Sequence, residues 1–385
     1  MIKIKYILIW VILSIALAAC TALTPLKPLE QCLPDFPDRD GWYGGDGAYS
    51  VQLDNHRTMW LFGDTFVSDD IGRKDRIGMD VVMGNTLAVS TCPADRKFSI
   101  RYFLKKKNST FVPFFGENEI LWPQDPFIVN GTLFIPLLLI ETLPDAPAPF
   151  NFKIAGHKIA RVKDFSDADP RKWPVNYMDW TSSIPSGIEA LATTSIVHEH
   201  YVYFFPLYRY RKAPAEIHGN ILARIPVNNL EHPTGAFEYL HRDGTWRKEL
   251  LHDTVKIIFS APVSELSVRY HRLDQKWLAV YLSPFDGGRK LLIQAAKTLE
   301  GPWSAPEPAI ESIPELDPST PLYNRYTFCY AGKEHRQLAR DKNLVVTYVC
   351  NSSEDQNLPS GFLRNNLFLY RPAVKNVVCP SNICH

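Results

Sequence analysis

The sequence predicts an all-β fold, a five-bladed β-propeller, and three observations carry that expectation. One pattern recurs about five times along the 385 residues: a polar or acidic opening, a short apolar strand, a turn, then a longer strand rich in aromatic and β-branched residues. The turns fall roughly 65 to 75 residues apart, which is the size of a blade of three or four strands. No long amphipathic helix interrupts them, and near-equal periods without a linker argue against two packed sandwiches.

The elements follow in order. The first hairpin, DGAYSVQLDNHRTMWLFGDTFV, turns at Asp54-Asn55-His56. The second, DPFIVNGTLFIPLLLI, turns at Asn130-Gly131, a dipeptide suited to the left-handed conformations of a tight hairpin. The third turns at His198 to His200, the fourth at Leu273 to Gln275, and the fifth, HRQLARDKNLVVTYVC, at Arg340 to Lys342. Segments such as NTLAVSTC, FKIAGHKIARV, GNILARIPV, KLLIQAAKTL and NLFLYRP supply further strands. The propeller domain is expected over residues 41–375, with a Cys-containing tail at 376–385.

Ahead of these lies MIKIKYILIWVILSIALAAC, in which Lys3 and Lys5 precede an apolar run of about a dozen residues, too short for the roughly 20 that span a bilayer. Leu17-Ala18-Ala19-Cys20 resembles a bacterial lipobox, so residues 1–19 read as a lipoprotein signal peptide. Cys20 then becomes the lipidated residue and 20–40 a Pro-rich tether. The expected address is the cell envelope, held to a membrane by the lipid. Thr21, where an inner-membrane retention signal would place Asp, points to the outer membrane. Six cysteines remain: Cys32, Cys92, Cys329, Cys350, Cys379 and Cys384. An oxidising compartment permits three disulfides among 15 connectivities, and Cys329 with Cys350, nearly equidistant from the fifth turn, is the best single pair.

Composition narrows function. With 42 Lys and Arg against 41 Asp and Glu, no basic field exists to attract nucleic acid. Nine Trp, 17 Tyr and 21 Phe suit a strand-rich core and a carbohydrate site alike. No phosphate-cradling loop, serine nucleophile elbow or metal motif is present, so neither cofactor nor metal is expected, and the chain reads as a monomer.

In a propeller the inner strands open onto the central channel, and acids recur just before them: Asp46, Asp125, Glu189, Glu265, and Glu334 with His335. Asp46 and Asp64 each stand nine residues from Asn55, so they should oppose one another across the first hairpin. Like charges so placed raise at least one pKa, and carboxylates converging on one opening suit acid and base work on a glycosidic bond. The catalytic candidates are therefore Asp46, Asp64, Asp125 and Glu189. Candidates for substrate binding are Trp42, Asn85, Trp122, Glu265, Glu334 and His335, with Tyr43 a further aromatic near the opening. If Asp46 and Asp64 are acid and nucleophile, retention follows; if one only tunes the other, the acid comes from Glu189 or Asp125.

Several motifs carry a resemblance: GWYGGDGAYS, WLFGDTF, NTLAVSTC, LWPQDPF, AFEYLHRDGTW, TLEGPWSAPEPA, and YAGKEHRQL with LVVTYVCNS. By these the chain resembles the five-bladed propellers of domain of unknown function 4185, which include endo-acting D-arabinanases. More distantly its layout is similar to arabinanase, fructosidase and levansucrase propellers. That resemblance implies a nucleophile or base at Asp46, a charge-tuning partner at Asp125 in WPQDP, and a general acid at Glu189. Glu189 lies in SGIEALATT without the usual flanking pattern, and Asp64 has no counterpart there. The expected function is an exported glycoside hydrolase acting on an arabinan-like or other envelope or host polysaccharide. The alternative is a carbohydrate-binding or surface-interaction propeller without catalysis. A sialidase-like enzyme would need an arginine cluster, for which Arg269 alone stands.

Overall fold

The computed structural model describes residues 32–92, 97–145, 151–212, 215–339, 343–354 and 361–384. Residues 1–19, the lipidation candidate Cys20 and the turn at Arg340 to Lys342 lie outside the described residues. Among the described residues no helix is long and apolar enough to cross a membrane.

The chain is all-β and propeller-like, built from antiparallel meanders in sequence order. The first comprises Tyr49–Gln52, Arg57–Phe62, Thr86–Thr91 and Ser99–Tyr102. Its register pairs Tyr49 with Leu61 and Gln52 with Thr58, so the turn centres on Asn55. The second runs through Phe127–Val129, Thr132–Thr142, Phe152–Val162 and Val175–Asp179. Its tight turn has φ +49° at Asn130 and +73° at Gly131, the left-handed pair that the twist of a two-residue hairpin demands. The third begins with Ser195–His198 and Tyr201–Phe204. Pro206, lacking an N–H, breaks the ladder there, and the chain continues at Leu207–Lys212 in a separate sheet with Ala215–Ile221. The fourth contains Ser267–His271, Lys276–Leu282, Leu291–Ala296 and Glu307–Ile310.

The last meander departs from the expected strand. Its inner strand is Thr327–Glu334, paired with Asn343–Ser352 and then Ala373–Val378, whereas HRQLAR forms a turn of 3-10 helix at Arg336–Leu338. Here Cys329 pairs with Cys350 across the strands and forms the expected disulfide; the other two are Cys32–Cys92 and Cys379–Cys384. Described residues of the expected tether and tail pack onto the sheets. Phe36 is buried against Trp60 and Phe62, and Ile383 and Cys384 are buried beside the last meander.

Apolar side chains join each meander to the next and the last to the first. Met59, Leu61 and Leu87 meet Leu133, Ile135 and Leu137. Phe127 and Phe134 meet Phe204. Tyr203 and Phe205 lie with Val268 and Ala279, Leu278 and Val280 with Leu344 and Val346, and Val345 returns to Trp60 and Ala88. Each buried aliphatic contributes about 1.5–3 kcal/mol, so the ring closes through its sheet-to-sheet faces, independently of the terminal disulfides.

Candidate functional site

The first hairpin carries Asp46 and Asp64 to the position the turn predicts, but not as a flat pair. Asp46 N–H donates to Asp64 O at 3.0 Å, while Asp46 O accepts from Gly63 rather than from Asp64, at 2.6 Å. The ladder is therefore irregular at this point, and beyond it Trp42–Gly45 and Thr65–Val67 leave for a small sheet of their own. Gly63 makes the crossing possible, since a Cβ there would lie 3.2 Å from Asp46 Cβ. The two carboxylates are neighbours that turn to different partners.

Asp64 Oδ1 accepts from the Gly84 N–H at 2.6 Å and the Trp122 indole N–H at 3.0 Å. Its pKa is nonetheless raised, because burial outweighs the two donors. Asp46 is pushed up to about 8, first by burial, then by Glu265, with Asp64 a smaller contributor; the Tyr330 hydroxyl and Lys333 act in the opposite sense. Glu265, expected only to bind substrate, is thus a stronger electrostatic neighbour of Asp46 than Asp64 is. Asp46, Asp64 and Glu265 lie deep in the protein; each residue keeps part of its surface accessible, but Asp46 Oδ1 is itself buried and without a hydrogen-bond partner.

Glu265 pairs with Lys333 at 2.9 Å, and Lys333 Nζ stands 4.0 Å from the centre of the Tyr49 ring. Gly47, with φ +63°, brings the backbone under this pair: a Cβ there would meet Glu265 Oε1 at 3.2 Å. The Tyr49 phenol is held well above its ordinary pKa by burial and by the charges of Glu265, Asp125 and Asp46, which locates three acids around one ring.

Asp125 is close by but sequestered. Arg269 Nη2 reaches its two oxygens at 3.0 and 2.9 Å, Ser195 N–H donates at 2.7 Å and the Thr194 hydroxyl at 3.1 Å. With both oxygens occupied and 1% of the residue exposed, Asp125 joins the second, third and fourth meanders; it is not placed to touch substrate. Glu189, the acid expected from the third blade, stands apart, paired with Arg209 at 3.1 Å and 3.7 Å from His218, in a separate groove of about 810 Å³.

Four binding candidates prove structural. Trp42 is fully buried and stacked on Tyr102 at 4.4 Å. The Asn85 amide is an internal clamp, donating to the Phe115 and Leu121 carbonyls and accepting from Phe115 N–H. His335 is buried between Ser50 and Thr347, at 2.6 and 2.7 Å; burial drives its pKa well below the usual value and keeps it neutral. Glu334 is buried against His271 at 3.0 Å. Tyr43 is also in the core. Trp122, by contrast, lines the opening, with Phe152 edge-on to it at 4.5 Å.

Sequence reading missed three residues. The Tyr330 phenol lies beside Asp46 and lowers its pKa, and the Tyr370 phenol is raised first by burial and then by the charges of Asp46 and Asp64. Tyr370 has φ +53°, held by its N–H donating to Cys350 O at 2.7 Å. Arg76, fully buried, spends its guanidinium on the carbonyls of Tyr43, Leu363, Asn366, Leu367 and Leu369, which fixes the segment leading into Tyr370. A cavity of about 290 Å³ has Asp64, Trp122 and Tyr370 on its wall.

Fold and site together define an all-β, propeller-like protein with a cluster of carboxyl groups, of which Asp64 lines a small cavity. Over residues 35–378 the chain matches the family described as Domain of unknown function (DUF5005), and it belongs to that family. The motif likeness to domain of unknown function 4185 stays a resemblance. No curated protein matches the chain. Among solved structures it is similar to a protein of Bacteroides ovatus ATCC 8483 described as a candidate hydrolase. That likeness has TM-score 0.65 and 16% identity, covering 92% of this chain and 96% of that one, and it speaks for the fold alone. Weaker likenesses are to a GH43_1 enzyme from Xanthomonas citri and an exo-β-1,3-galactanase from Phanerochaete chrysosporium. The first has TM-score 0.46, 12% identity and coverage of 91% and 92%; the second 0.44, 11%, 87% and 60%. At those scores neither carries weight for function.

Proposed function

We propose that this chain is a glycoside hydrolase, a five-bladed propeller whose reacting groups are Asp46 and Asp64. The observation that carries the reading is a buried carboxyl with its pKa pushed up to about 8, Asp46, next to Asp64, which is fixed by two N–H donors and lines a cavity walled by Trp122. Asp46 supplies the proton to the departing glycosidic oxygen. Asp64, with Oδ1 occupied by Gly84 and Trp122, offers Oδ2 to the anomeric carbon or to water. Burial first, and Glu265 second, keep Asp46 protonated, and Asp125 with Arg269 holds the inner strands in place.

The substrate class we favour is an arabinan-like or other envelope or host polysaccharide, acted on by an exported lipoprotein anchored through Cys20 at the outer membrane. The soluble domain incubated with a glycan panel that includes D- and L-arabinans should release products. Asp46→Asn and Asp64→Asn should each lower turnover at least about 100-fold. Turnover that survives both substitutions removes this site, and binding without turnover on every glycan favours an interaction module. Loss of labelled fatty acid in Cys20→Ala tests the anchor.

A further inference from the structure

The groove that holds Glu189 opens on the same face of the second meander as the Asp64 cavity. Ile140 and Thr142, on the strand Thr132–Thr142, line the cavity, and their register partners Ile154 and Phe152, on the next strand, line the groove. Directly paired residues of an antiparallel ladder share a face, so cavity and groove lie one strand spacing apart, about 4.8 Å. Phe152 stands on the wall of both, edge-on to Trp122 at 4.5 Å.

The groove is the roomier of the two, at about 810 Å³ against 290 Å³. Ile154, Ile184 and Pro185 give it an apolar side; Ser186, Glu189 and Arg209 give it a polar one, the last two with about a third of each side chain exposed. That division suits a glycan chain. The C–H faces of its rings gain about 25 cal/mol for each Å² removed from water, while its hydroxyls meet a carboxylate and a guanidinium, the partners of the stronger hydrogen bonds.

Charge sets which glycan. Arg209 pairs with Glu189 at 3.1 Å, Arg211 with Glu216 at 3.2 Å and Lys153 with Glu141 at 2.7 Å. His157 and His218, beside these pairs, both have their pKa lowered, first by burial, so neither adds charge at pH 7. With its cations matched one for one, the groove sets up no net field to draw in an acidic polymer.

We infer that this groove is a distal binding site for a neutral glycan chain, which leaves the Asp64 cavity over Phe152 and lays its further residues along Glu189 and Arg209. The inference deepens the hydrolase reading and rests on it only for turnover, because binding along the groove needs no bond cleavage.

The test measures binding and turnover separately. Binding is followed by calorimetry with Asp64→Asn, using arabino-, xylo- and galacto-oligosaccharides of two to eight residues, with oligogalacturonates of the same lengths as charged counterparts. Affinity for at least one neutral series should rise 10-fold or more from disaccharide to octasaccharide. The methyl NMR signals of Ile154 and Ile184 should shift with that octasaccharide and not with the disaccharide. Glu189→Ala and Arg209→Ala should each remove 3-fold or more of the gain. Affinity independent of length in every neutral series overturns the inference, as does absence of binding to all of them. Oligogalacturonates that bind as tightly as neutral chains of equal length overturn it too, as do Ile154 and Ile184 signals unmoved by an octasaccharide that binds, or a gain untouched by both substitutions. Wild-type turnover with kcat/KM no higher on the octasaccharide than on the disaccharide overturns it while leaving the hydrolase reading intact. Length-dependent binding with no turnover on any glycan leaves the inference standing and removes the hydrolase.

Discussion

Asp46 keeps its proton at neutral pH first because it is buried and then because Glu265 stands beside it, and the signs of its neighbours are individually testable. Glu265 raises its pKa and Tyr330 lowers it. Tyr330→Phe should therefore move the alkaline limb of the pH–rate profile upward from about pH 8, and Glu265→Gln should move it downward. Movement of both in one direction would mean that Asp46 does not set that limb. Stability follows the same linkage. A carboxyl whose folded pKa is raised stabilises the fold while it is protonated, and that contribution is lost as pH rises from the unfolded value near 4 to about 8. Asp46→Asn should equal wild type in denaturant stability near about pH 4 and exceed it by a few kcal/mol near about pH 8.5. At this scale the sequence was half legible. Counting from Asn55 placed Asp46 beside Asp64, since hairpin register is arithmetic. The same reading treated His335, Asn85 and Trp42 as ligand contacts, because a polar or aromatic residue near an opening does not reveal which side chains already satisfy it.

The Asn85 clamp has a twin, so its meaning belongs to the element. Asn220 donates to the Phe205 and Val263 carbonyls and accepts from Val263 N–H, as Asn85 does with Phe115 and Leu121. In each, an amide pairs with both the N–H and the C=O of one residue, taking the part of a strand neighbour for a connecting segment that has none. Asn85→Ala removes the partner of three buried backbone groups, and Asn220→Ala of two, since the Phe205 carbonyl keeps the Thr193 hydroxyl; each should cost about 2–4 kcal/mol in urea unfolding. Loss of less than about 1 kcal/mol would show that the clamps are dispensable. Hairpins themselves were the most readable elements: Asn130-Gly131 announces its turn by chemistry alone. The final hairpin was misplaced by one segment: HRQLAR directly precedes the turn and so reads as its first strand, whereas the disulfide-linked pair Cys329 and Cys350 lies in a ladder formed by the residues before it.

Across the whole molecule, long-range polar contacts fasten the ring that the apolar interfaces close. Asp125 and Arg269 are 144 residues apart and tie three meanders together, while His335 links the last to Ser50 in the first. Removing one partner of a buried pair strands the other charge, so Arg269→Leu should lower stability by about 3–5 kcal/mol, and Asp125→Asn added to it should restore part of the loss. A double variant no more stable than Arg269→Leu would refute the pairing. None of this distance was visible in the sequence. Tyr330 and Tyr370 reach the site from the last meander, next to the first in the closed ring but far from it in sequence, and Tyr370 adopts its left-handed backbone without a glycine to mark the place. Periodicity reported the repeats, but which side chains meet at the centre depends on closure.

The central claim is that Asp46 is a neutral carboxylic acid beside Asp64, and carbon-13 titration of the Asp46 carboxyl, assigned by its loss in Asp46→Asn, measures that directly. The midpoint should lie near 8 and fall when Asp64 is replaced by Asn. A midpoint at the ordinary carboxylate value near 4, unmoved in Asp64→Asn, would contradict it.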